Sequence, residues 1–101
     1  MPAQPLSPQQ IEEHLRELPG WSVADGRLTR SYRLGSHLAA AAFVQHVAVI
    51  QDELNHHADV TLGYHSVDLA VQTHDAGGAL TNRDVALAQR VQGVAPAHEA
   101  T

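Results

Sequence analysis

Histidine is the residue type in this chain that offers the most chemistry. The 101 residues contain eight histidines but only one Trp, one Phe and two Tyr. Imidazole transfers protons near neutral pH and also binds metal ions. His56 and His57 are adjacent, and His74 ends a run of alternating apolar and polar residues. These positions are compatible with one shared pocket, but adjacent histidines also arise by chance, and on spacing alone purely structural histidines are the more common case.

Aspartates accompany both histidine clusters. Asp52 precedes His56 by four residues, so on a continuing helix the two side chains would share a face. Asp59 and Asp75 flank the clusters. Because a carboxylate beside an imidazole fixes its tautomer, we predict that Asp52 orients His56. Four other histidines are predicted to be solvated surface residues: His14, His37, His46 and His98.

Other chemistries have weaker support in the sequence. Zinc or iron could bind histidines and aspartates, but no H-x-x-x-H helix motif is present. The chain has no cysteine, which excludes a disulfide, a thiolate metal site and a thiol nucleophile. No serine lies in a G-x-S-x-G motif, and Gly77-Gly78 is too short to cradle a phosphate.

Charge and hydropathy limit the class of protein. The net charge of −5 disfavours nucleic-acid binding through a basic surface. The first ten residues, MPAQPLSPQQ, do not resemble a signal peptide, and no apolar run approaches the ~20 residues that span a bilayer. We therefore predict a cytoplasmic protein with a single domain over residues 1–101.

The first half of the chain predicts a helix, a hairpin and a second helix. Ser7, Pro8 and Gln10 form a helix start with a capping box, and Pro19-Gly20 ends that helix. Strands at 21–24 and 27–34 flank Asp25-Gly26, a typical two-residue hairpin turn. An apolar stripe then predicts the central helix over 37–54, with Ser36 as its cap.

The second half predicts another hairpin and a last helix. Strands are expected at 60–64 and 66–74, and Thr81 and Asp84 form a second capping box. The last helix is predicted to end at Gly93, and residues 1–6 and 94–101 are predicted to be flexible. The order α-β-β-α-β-β-α indicates an α+β fold, a four-stranded antiparallel sheet with helices packed on one face.

The segment DELNHHADVTLGYHSVDLAVQTHDAGG resembles the signature of the pterin-4a-carbinolamine dehydratase family, also called the dimerisation-cofactor family. That signature has an acidic or polar residue shortly before N/D-H-H-P-D/E, then an aromatic, and a strand that ends in T-H-D/E. LPGW and SYRLGSHLAAAAFVQHV upstream, and LTNRDVALA downstream, also resemble family patterns. The resemblance extends from about residue 7 to residue 92.

The resemblance implies a homodimer or homotetramer that uses no metal and no organic cofactor. The implied substrate is the 4a-hydroxytetrahydropterin that an aromatic amino acid hydroxylase leaves behind, and the product is quinonoid dihydropterin in tetrahydrobiopterin recycling. On this hypothesis His56 is mainly the base, and His57 and His74 are the acids. The implied substrate-binding residues are Asn55, Thr73 and Asp75.

Three departures from the family pattern concern the geometry of the pocket. Ala58 replaces the usual proline, Val60 replaces a frequent aromatic, and Ala79 lengthens the usual AGGL loop by one residue.

Two alternative functions also remain open. One is a dimeric scaffold or assembly factor without catalysis, and the other is an enzyme for another pterin, as in molybdenum-cofactor metabolism.

Overall fold

The computed structural model describes residues 3–101, so the flexibility predicted for Met1 and Pro2 lies outside the described residues. Helices pack against one face of a four-stranded antiparallel sheet, which confirms the predicted α+β fold and element order. The helices are α1 (Pro8–Arg16), α2 (His37–Leu54) and α3 (Asn82–Val94). The strands are β1 (Ser22–Ala24), β2 (Arg27–Arg33), β3 (Asp59–Leu62) and β4 (Ser66–Val71).

The strand order is β1-β2-β4-β3, with β2 and β4 in the centre. Alternation along these central strands directs one set of apolar side chains into the core: Leu28, Tyr32, Val67, Leu69 and Val71. Asp59 at the start of β3 pairs with Ala70 near the end of β4. The segment that enters β3 and the segment that leaves β4 therefore meet at one end of the sheet.

The central helix α2 has the predicted bounds. Ser36 Oγ accepts a hydrogen bond from Ala39 N at 3.0 Å, and Phe43 and Val47 are fully buried against the sheet. The helix ends at Asn55, which has the left-handed conformation φ 49, ψ 43. Asparagine tolerates this conformation better than most residues do. The turn at Asn55 redirects the chain away from the helix axis.

The end of α3 differs from the sequence prediction. The helix continues through Gly93 to Val94 and is followed by a 3-10 helix at Ala95–His98, so the predicted end at Gly93 is wrong. The physical reason is packing, because Val91 and Ala95 are both buried and continue the same apolar stripe past the glycine. A glycine that is not needed for a left-handed turn does not by itself end a helix.

Residues after Ala95, which were predicted to be flexible, make specific contacts. The His98 ring packs on Phe43 with 5.2 Å between ring centroids, and His98 Nε2 lies 2.8 Å from His46 Nδ1. Thr101 N donates to Arg33 O at 3.0 Å. His46 and His98 are therefore partly buried partners, which corrects their prediction as solvated residues.

No helix within residues 3–101 is long and apolar enough to cross a membrane.

Candidate active site

A cleft of about 350 Å³ lies at the end of the sheet where the chain enters β3 and leaves β4. Its lining residues are Asn55, His56, His57, Ala58, Asp59, Gln72, Thr73, His74, Asp75 and Arg83. The cleft therefore brings together every residue predicted for the site except Asp52, which contacts it from α2. A larger depression of about 670 Å³ lies on the outer sheet face, but its lining within the described chain contains no histidine.

His56 is directed into the protein by the turn at Asn55. Its backbone N donates to Gln51 O at 3.1 Å, and the residue is only 8% exposed. Its Nε2 lies 2.7 Å from Oδ1 of Asp84, which is fully buried on the first turn of α3. An ionised carboxylate only accepts hydrogen bonds, so His56 must donate from Nε2. In the neutral form of this imidazole, Nδ1 then carries no proton and can accept one.

The second carboxylate oxygen of Asp84 accepts hydrogen bonds from two threonines. Asp84 Oδ2 accepts from Thr81 N at 2.8 Å and from Thr73 Oγ1 at 2.8 Å. The Thr73 and Thr81 hydroxyl oxygens are 2.7 Å apart, and both residues are buried. A buried carboxylate is tolerated only when its oxygens are hydrogen-bonded, and both oxygens of Asp84 are. The predicted capping box is confirmed, and its acid also orients His56.

His57 contacts a different aspartate. Its Nε2 is 3.1 Å from Asp52 Oδ1, and the two side chains are 54% and 82% exposed. The sequence pattern predicted that Asp52 would contact His56 instead. The difference arises because the helix ends at Asn55, so the i, i+4 relation does not extend to His56.

Replacing Asp52 by asparagine is expected to have a small effect on any activity of this cleft. An exposed ion pair contributes only about 0–1 kcal/mol, so kcat/KM should change by less than about fivefold. The matched control is Glu53→Gln, which removes an exposed carboxylate bonded to Arg90 outside the cleft. A loss of two orders of magnitude in Asp52→Asn alone would contradict the expectation and give Asp52 a direct role.

His74 is exposed and begins a 3-10 turn, His74–Ala76, directly after Thr73. Thr73 N donates to Ala79 O at 3.1 Å, so Ala79, the residue predicted to lengthen this loop, closes the loop back onto the strand end. The loop that carries His74 is therefore held at both of its ends. Asp75 Oδ2 accepts from Arg83 Nη1 at 3.3 Å at the rim of the cleft.

The residues predicted to bind substrate differ in what they can offer. Asn55 and Asp75 are exposed and line the cleft. The hydroxyl of Thr73 is occupied by Asp84 and Thr81, which favours a role in holding the strand end beside His74. Sequence reasoning missed three residues of this region: Gln51, Arg83 and, for its contact with His56, Asp84. The sequence did place Asp84 in a capping box. That role accounted for the residue, so nothing pointed to its contact with His56.

The fold and the cleft define a small α+β protein with an imidazole and carboxylate site suited to proton transfer. Two of its imidazoles are accessible, and one is buried with its tautomer set by Asp84. Among residues 3–101, no group of three or more His, Cys, Asp or Glu is arranged to hold a metal ion.

The chain belongs to the pterin 4 alpha carbinolamine dehydratase family, whose model matches residues 4–94. A Streptomyces coelicolor protein with the provisional name pterin-4-alpha-carbinolamine dehydratase is 67% identical over 99% of each chain. A Streptomyces avermitilis protein with the same provisional name is 58% identical over the full length of both.

Solved structures agree with this membership. The crystal structure of a transcriptional coactivator/pterin dehydratase from Brucella melitensis superposes with a TM-score of 0.84 at 30% identity, over 91% of this chain and 99% of that one. A pterin dehydratase-like RuBisCO assembly factor of the alpha-carboxysome superposes with a TM-score of 0.59 at 21% identity, over 74% and 86% of the two chains. The second likeness concerns the fold alone.

Proposed function

We propose that this chain is a pterin-4a-carbinolamine dehydratase, which removes water from 4a-hydroxytetrahydropterin to give quinonoid dihydropterin. The observation that carries the proposal is the cleft with three imidazoles, one of them held by a fully buried carboxylate. Family membership supports the same activity. Elimination of water needs a base and an acid, and imidazole serves as either near neutral pH.

The residues of the cleft divide into a base and two acids on this proposal. His56 Nδ1 takes the proton from the ring nitrogen next to C4a, because Asp84 occupies the other ring nitrogen. A C=N double bond then forms to C4a, and the C4a–O bond breaks. His57 on one face of the ring, or His74 on the opposite face, gives a proton to the departing oxygen, which leaves as water. Both acids are exposed, so solvent can restore their protons.

The wider role follows from the substrate. A 4a-hydroxytetrahydropterin is left when an aromatic amino acid hydroxylase has used its pterin, so the proposal includes tetrahydrobiopterin recycling in the cytoplasm. It also includes a homodimer or homotetramer, which the family resemblance implies, and no metal or organic cofactor, because the reaction requires only proton transfers. Asn55 and Asp75 are the proposed contacts of the pterin, since both line the cleft with exposed polar groups.

The proposal is tested by the dehydration rate of chemically generated 4a-hydroxytetrahydropterin, followed through the quinonoid product. The protein should accelerate this reaction over buffer with a rate proportional to enzyme concentration. A folded protein that gives no acceleration would sink the proposal and favour the scaffold alternative. Turnover of other pterins under the same conditions separates recycling from molybdenum-cofactor metabolism, because the proposal requires 4a-hydroxytetrahydropterin to react fastest.

The pH dependence of this rate is a separate prediction. Because the cleft transfers protons through imidazoles, kcat/KM should show at least one inflection between about pH 5 and pH 8. The thermal midpoint of unfolding should be measured across the same range, so that loss of folded protein is not mistaken for titration. A flat profile from a protein that stays folded would count against histidine catalysis.

A further inference from the structure

A single buried residue, Gln51, accepts two hydrogen bonds from the backbone of segment 55–58, which carries two of the cleft histidines. The side chain of Gln51 lies on the last turn of α2, and the residue is only 7% exposed. Its backbone O accepts from His56 N at 3.1 Å, and its side-chain Oε1 accepts from Ala58 N at 2.7 Å. The chain immediately before and immediately after His57 is therefore bonded to the same residue.

We propose that Gln51 is a positioning residue that fixes His57, and with it the separation of His57 from His56. This inference rests on the proposed dehydratase function for its kinetic consequence, but the hydrogen bond to Ala58 can be tested without it. His57 itself is half exposed, and its side-chain contact is with an exposed aspartate. The direction of its ring therefore depends on its backbone, which is held through the residues on both sides.

The need for Gln51 follows from the residue at position 58. Alanine has a backbone N–H, and a shielded N–H without an acceptor is costly. A proline at this position would have no N–H and would restrict the backbone of the preceding residue to extended conformations. Ala58 lacks that restriction, and its hydrogen bond to Gln51 supplies a constraint in its place. Gln51 and Ala58 should therefore act as an energetically coupled pair.

The first test measures hydrogen exchange at the Ala58 amide by NMR. In Gln51→Met, which keeps the length of the side chain but removes the acceptor, exchange at Ala58 should accelerate by at least about tenfold. Gln51→Glu keeps an acceptor oxygen and should preserve most of the protection. Gln45→Met is the matched control, because Gln45 is exposed on the same helix. Unchanged protection of Ala58 in Gln51→Met would overturn the inference.

The second test is a double-mutant cycle with Gln51→Met and Ala58→Pro. Gln51→Met alone should lower kcat by about tenfold and change KM by less than about threefold, because a displaced acid slows the chemical step more than binding. In the Ala58→Pro background the same change should cost less than about threefold, since the N–H is gone. Equal costs in both backgrounds would overturn the coupling. An inactive wild type would refute the proposed function, and the exchange measurement would then decide the inference.

Discussion

Replacing His57 or His74 by alanine is expected to lower the dehydration rate of the 4a-stereoisomer whose hydroxyl that histidine faces by ~10²–10⁴-fold, the usual contribution of one general acid or base. Both side chains are exposed at the cleft, so neither change leaves a cavity in the core. The free energy of unfolding should therefore stay within about 0.5 kcal/mol of the wild-type value. Single-turnover rates and urea denaturation of each variant measure the two quantities.

The control for these variants is His65→Ala. His65 lies in the turn between β3 and β4, outside the cleft lining. Its replacement should leave the dehydration rate unchanged. If His57→Ala and His74→Ala both kept the wild-type rate while folded, neither residue could be the acid, and His56 alone would have to account for any catalysis.

Replacing Asp84 by asparagine is expected to destabilise the fold and to slow the reaction together. An amide presents one oxygen and one NH₂ group, whereas Asp84 accepts from His56 on one side and from Thr81 N and Thr73 on the other. If the amide oxygen keeps the contacts with Thr81 N and Thr73, the NH₂ group faces His56 Nε2, which must then give up its proton and accept. Breaking one partner of a buried pair costs ~3–5 kcal/mol, and His56 also loses the acceptor that sets its tautomer.

Urea denaturation and kcat measured well below the unfolding midpoint separate these two effects of Asp84→Asn. Asp68→Asn is the matched control, because Asp68 is exposed and bonded to Ser31 on the outer sheet face. The control should change stability by less than about 1 kcal/mol. An Asp84→Asn protein as stable as wild type would contradict the expected destabilisation. It would show that the buried hydrogen bonds can rearrange around an amide.

The parts of the fold that were predicted from the sequence are those specified by local chemistry. Ser36 and the apolar stripe after it predict α2 with its observed bounds, because cap and stripe are both short-range features. Asp25 and Gly26 have positive φ values of 52 and 75, as the predicted hairpin turn requires. The predicted helix end at Gly93 was wrong because the end of α3 is decided by burial of the neighbouring residues. That burial depends on tertiary packing, which the local sequence does not show.

The site could be predicted only in part for the same physical reason. The composition and spacing of His56, His57 and His74 identify them as candidates, but their convergence depends on β3 and β4 being neighbours in the sheet. Asp84 lies 28 residues after His56, and no local pattern connects the two. Gln51 was missed because the acceptor role of a buried amide depends on where the chain turns at Asn55.

The contact between His46 and His98 gives these two histidines a role in the fold that differs from the role proposed for the cleft histidines. A hydrogen bond between two imidazoles requires one nitrogen with a proton and one without, and two cationic rings repel each other. The segment that carries His98 is therefore held to α2 by a bond that double protonation destroys. His46 and His98 therefore keep the last turn of the chain in place, a structural role at a distance from the cleft lining and independent of any substrate.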